Sequence, residues 1–179
     1  MRVRLLRIAL VTAAALPMTA MTADQSFGTD ADVAYSQQLW EAMAEQGLVG
    51  EEALMSTPYE GQHPHGAVLD TIDTTFTLDD NTGELIIKRN YGGEGVSKTA
   101  VANEPGEWLQ SVTVMYRRDG YDADNADWFW VKYQPDGSPA TNPKGMPLAG
   151  RVAKGADQGC IACHQAAPGG DYVYNHDRF

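Results

Sequence analysis

Cysteine is almost missing from this chain: 179 residues contain two. That scarcity excludes a scaffold built on disulfides and a structural zinc site made of cysteines. Positive charge is also short, with 13 Lys and Arg against 24 Asp and Glu and a formal net charge of −11. An acidic surface of this kind argues against nucleic acid or anionic lipid as a partner. Beyond the N-terminal segment no stretch is apolar enough to span a bilayer, and neither an internal repeat nor a second domain is visible.

What is present begins with a leader. Arg2, Arg4 and Arg7 precede the apolar run Ile8–Leu16, and small residues follow. That is the layout of a secretory signal peptide, cleaved best after Ala23, with Ala20 as the alternative. The run is too short and Ala-rich to favour a lasting anchor. Export to the periplasm is the expectation, with residues 24–179 as one mature domain. Loss of three arginines moves the formal charge from −11 to −14.

Residues 30–48 read as an amphipathic helix, with Tyr35, Leu39 and Met43 at helical spacing and Asp30 or Asp32 as its cap. After residue 66 the pattern turns to period two. Segments 74–78, 84–90, 111–118 and 128–134 predict strands, joined by turns at 79–83 and 134–138 and a longer connection at 118–127. The acidic 122–127 segment lacks the glycine and terminal acid of a calcium loop and reads as a polar turn. Residues 139–158 read as loop, and the cysteine segment as a short helical turn. The expected fold is mainly β (α+β), an antiparallel sheet packed with a few helices.

Both cysteines lie in "GCIACH", and His164 follows Cys163 directly. A disulfide between residues so close constrains little of the unfolded chain. A redox Cys-x-x-Cys opens a helix after a strand in a βαβ unit, and none precedes Cys160. Zinc would need two further ligands from His63, His65, His176 or carboxylates at no familiar spacing. Cys-x-x-Cys-His is, however, the attachment signature of c-type haem. Two thiols one turn apart reach two vinyl groups, and the next residue lies under the iron as an imidazole ligand. The expected cofactor is one covalent haem c, held by thioethers from Cys160 and Cys163 and ligated by His164. No methionine follows His164. Met115 and Met146 precede it, and alternation packs Met115 in the sheet. An iron without a second protein ligand binds small molecules. A sixth ligand from Met115, Met146 or a histidine would make a plain electron carrier.

The C-terminal "CIACH" with "GGDYVY", together with "HPHG", "GELIIKRNY" and "VTVMYRRDGYDADNADWFWVKYQPDG", resembles the cytochrome P-460 family, which includes the cytochromes c′-beta. The likeness spans roughly residues 55–176. It implies a mainly antiparallel β fold, a homodimer, and one of two activities. Cytochromes P-460 proper oxidise hydroxylamine and carry a lysine cross-linked to the haem ring; the c′-beta relatives bind gases such as nitric oxide. The same likeness makes Lys88 the candidate for the cross-link, with Arg89 where an acidic neighbour is usual. Strand alternation sets Lys88 on the face of Ile86 and Asn90. Lys98 and Lys132 are less well placed by pattern. Glu94, Glu104 and Asp127 are available as proton acceptors, though no spacing singles one out. His63 and His65 flank Pro64 in a loop before the sheet, where they could cap or line the haem site, though loop histidines are commonly solvated. Of Trp128, Phe129 and Trp130, at least one ring is expected in the core. Partners implied are a small nitrogenous ligand and a soluble redox protein.

Overall fold

A computed structural model describes residues 27–174; the expected leader and His176 lie outside the described residues. Neither aspartate expected to cap helix α1 (Asp30–Glu45) is its N-cap. Thr29 is the N-cap, accepting from the Asp32 backbone N–H, while the Asp32 side chain accepts from the Thr29 backbone. Asp32 is thus the third helical residue of a capping box. Leu39 and Met43 are fully buried on its inner face.

Six strands follow in one sheet whose spatial order is their chain order, every neighbouring pair antiparallel. They are β1 (Tyr59–Glu60), β2 (Val68–Leu78), β3 (Asn81–Tyr91), β4 (Leu109–Arg117), β5 (Trp128–Tyr133) and β6 (Ala149–Gly150). Two short helices, α2 (Lys98–Asn103) and α3 (Pro105–Trp108), connect β3 to β4, and α4 (Cys160–His164) comes last. Strand β2 begins at Val68, six residues before its predicted start. Residues Val68–Thr71 are all buried, so they carry no two-residue polar alternation to be read. The β2–β3 turn is a two-residue loop with Asp79 at φ +52°, tighter than the predicted 79–83. The mainly β expectation matches this architecture. Among the described residues, no helix is long and apolar enough to cross a membrane.

The sheet is covered on both faces. Leu85, Ile87, Val114, Tyr116, Phe129 and Val131 form one core with Leu39 and Met43 of α1. Their strand neighbours Ile86, Met115, Trp128 and Trp130 face the other way and pack with Val152 and with Ile161 of α4. All three aromatic residues at 128–130 are buried, split between the two cores by strand alternation.

Gly150 joins these layers. It has φ +96°, and a Cβ there would stand 2.5 Å from the Asp32 carboxylate carbon. Gly150→Ala should therefore destabilise the protein by about 1–3 kcal/mol through backbone strain and displacement of the cap. Denaturant titration checks this; an unchanged midpoint would refute it.

Candidate functional site

Helix α4 exists because the cysteine segment has an apolar anchor. Ile161 is 1% exposed and belongs to the second core, which fixes the helix against the sheet. Gly159 enters it at φ +124°. Cys160 is half-buried and Cys163 exposed, both as free thiols, one helical turn apart. Burial pushes the Cys160 thiol up to about 11, partly offset by Lys132. Reactive dithiols have depressed values, whereas burial acts in the other direction on this thiol.

His164 follows with its ring packed edge-on against Trp130, centroids 4.9 Å apart, and against Tyr174 at 5.4 Å. Its Nδ1 lies 2.6 Å from the Tyr172 carbonyl oxygen. A carbonyl only accepts, so Nδ1 carries the proton and Nε2 is left with its lone pair. A carbonyl behind Nδ1 in this way orients a metal-bound imidazole. The "GGDYVY" segment makes the contact. Gly169 and Gly170 take positive φ, and Tyr172 itself is held at φ +70°. Left-handed backbone in a tyrosine costs energy and persists where its surroundings impose it. Two neighbours supply the restraint. The Asp171 carbonyl accepts from Trp128 Nε1 at 2.8 Å, and Val173 is buried in the second core.

The sheet beneath α4 carries polar groups. Pairing register aligns Thr71, Lys88, Thr113 and Lys132 in one row across β2, β3, β4 and β5. Lys88 is half-buried there, and its charge helps lower the pKa of both His65 and His164. For each histidine, burial is the larger cause. Lys132 thus lies on the face of Lys88, two strands away, which strand alternation within one segment does not reveal. Lys98 is elsewhere, in α2 near Glu60.

Two residues that the sequence pattern did not single out, His65 and Asn90, meet at this site. His65 is half-buried, not solvated like exposed His63, and its ring centroid is 6.3 Å from that of His164. Its Nδ1 is 2.9 Å from Asn90 Oδ1. Asn90 is buried and spends its Nδ2 on the carbonyls of Lys88 and Ser111 and on Thr113 Oγ1, so its oxygen is left to accept from His65. Desolvation, with Lys88 next in weight, lowers the His65 pKa to about 4. The signal available in the sequence was the shared parity of Lys88 and Asn90; nothing local tied His65 to them.

The acids are disposed otherwise. Glu94 and Glu104 are exposed, one in the loop after β3 and one between α2 and α3. The Asp127 carboxylate accepts from the Asp122 backbone N–H. Arg89 does not share the Lys88 environment. It points to the opposite face, where it pairs with buried Asp70 at 3.0 Å. Met115 packs in the second core, with Met146 partly buried against it.

These residues suit a haem. Two thiols one turn apart, an imidazole with Nε2 available, and an apolar wall of Ile86, Met115, Trp130 and Ile161 form the donor set and lining that c-type attachment requires. Trp130 Nε1 is buried without a hydrogen-bond partner among the described residues. Such an orphan donor calls for an acceptor, which a haem carboxylate would supply. A family model, Cytochrome P460, matches residues 48–175. No curated protein and no solved structure gives a significant match. The motif, the face it packs on and the extent of that match agree: the chain belongs to the cytochrome P460 family of haem proteins.

Proposed function

We propose that the protein is exported to the periplasm, carries one covalent haem c on Cys160, Cys163 and His164, and oxidises hydroxylamine or a related small nitrogen compound. In this reading it works as a homodimer and hands electrons to a soluble redox partner. The observation that carries it is the place of Lys88. Its side chain is half-buried on the sheet face that packs against α4 and lies within electrostatic reach of both imidazoles. A lysine bonded to a haem held by Cys160, Cys163 and His164 would project from this face. The haem, once bound, supplies a redox-active iron that accepts electrons from a bound nitrogen compound.

The chain's own residues do the rest. The Tyr172 carbonyl holds the proton on His164 Nδ1 and fixes the ring. Trp130 and Tyr174 pack against that ring. Protons released by oxidation need an acceptor, and His65, kept neutral by burial and nearby lysines, is better placed than Glu94, Glu104 or Asp127.

The test is the mass of the haem-bearing tryptic peptides from protein matured in an export-competent host. The expected product joins the Cys160–Cys163 peptide to the one containing Lys88, with a ferrous Soret band far to the red. Lys88→Arg should lose both and slow hydroxylamine oxidation about 10–100-fold. A wild-type haem peptide free of lysine, with an ordinary ring spectrum, would defeat the enzymatic reading in favour of nitric oxide binding.

A further inference from the structure

We propose that His65 is a second, exchangeable protein ligand to the haem iron, opposite His164; this rests on the haem reading above. Three observations carry it. The first is a distance. Imidazole nitrogens sharing one metal ion stand about 2.0–2.1 Å from it, which sets their ring centres about 6 Å apart. The observed separation is 6.3 Å. A histidine that only hydrogen-bonds a molecule already on the iron stands further back by about one hydrogen-bond length, roughly 3 Å. The separation therefore favours direct ligation.

The second is matched support. His164 has Nδ1 committed to the Tyr172 carbonyl, and His65 has Nδ1 committed to Asn90 Oδ1. Both rings are thereby held as the tautomer whose Nε2 is the donor, the arrangement seen for metal-bound histidine. Asn90 cannot turn over its amide without breaking its contacts to two carbonyls.

The third concerns exchange. His65 rides on the 61–66 loop between β1, a two-residue strand, and β2. The loop is closed by Gly61 N–H to the Ala67 carbonyl and His65 N–H to the Gln62 carbonyl, with Gln62, His63 and Pro64 exposed. By contrast, His164 is set in a helix anchored by buried Ile161. Of the two ligands, the loop histidine is the one that yields to an incoming molecule, which reconciles a closed resting iron with chemistry on a small substrate.

The experiment uses the matured holoprotein, its ferric absorption spectrum and its electron paramagnetic resonance. Wild type should be low-spin, His65→Ala high-spin, and added imidazole should restore the low-spin signal in the variant. Asn90→Leu, which keeps His65 but removes its support, should give a mixture. Where His65 leaves the iron for only about 0.1–10% of the time, its removal should tighten cyanide binding about tenfold or more. A coloured wild type that is already high-spin, or a His65→Ala protein that stays low-spin, overturns the proposal while leaving the haem standing. If His65→Ala is recovered without haem, wild-type resonance decides alone, a bis-imidazole signal supporting and a high-spin or imidazole–thioether signal refuting. A colourless wild type with two free thiols overturns both readings.

Discussion

Serine at both Cys160 and Cys163 is expected to abolish every trace of haem that survives denaturation of the chain. The reason is chemical: a thioether needs sulfur, and the described residues contain no thiol besides these two. Each single variant should keep one bond and a reduced yield of holoprotein. His164→Ala should leave the iron without its anchored imidazole, since no other side chain has the Tyr172 carbonyl behind it. The measurement is haem staining after denaturing electrophoresis, paired with intact mass. Retention of haem by the double variant would mean that attachment runs through another residue, and the site described here would be wrong. The same variants should also lose thermal stability. The cysteine helix is a wall of the second core through Ile161, and a group bonded to the native chain there stabilises it by mass action or by covalent constraint.

The second large effect is expected on the opposite face, at Arg89 and Asp70. Arg89 donates to both Asp70 oxygens at 3.0 and 3.1 Å and to the Leu48 and Leu54 carbonyls. Tyr91 adds its hydroxyl to Asp70 at 2.6 Å, and Ser56 its backbone N–H. The side chains of Asp70 and Arg89 are 1% and 7% exposed, so removing one leaves a buried charge without its partner. Such a loss costs about 3–5 kcal/mol. Arg89→Met and Asp70→Leu should each lower the denaturant midpoint accordingly. The double variant should lose less than the two losses added, because no lone charge remains. Additive losses would show that the pair does not act as a unit. The absorption signature proposed for Lys88 should survive in whatever folds, since Arg89 and Lys88 project from opposite faces of β3. Loss of that signature in a folded Arg89 variant would count against the separation.

Arg89 also illustrates how far the sequence could be read. Beside Lys88 in "IIKRN", it looked like a change in the lysine's surroundings. Period-two geometry sends it to the other side of the sheet, and its real partners lie in the 48–56 segment and on β2. No pattern within β3 names them. Trp130 is a similar case. Alternation foretold that at least one ring of 128–130 is buried, but the packing of Trp130 on His164 depends on how α4 returns to the sheet after the long 139–158 connection. The start of β2 escaped notice because a strand covered on both faces has no polar alternation.

What is local can be read from the residues in order: an amphipathic helix from its spacing, four strands from their alternation, and the haem signature from five contiguous residues. Each of these is a periodicity or a contact within a few positions of the chain, so neighbouring residues suffice to specify it. Packing of the whole chain is what sets His65 beside His164, holds it on Asn90, and brings Lys88 and Lys132 into one row. Those meetings depend on strand register and on which face of the sheet each closing segment covers. Both are set by burial of the whole core, not by any stretch of residues read on its own.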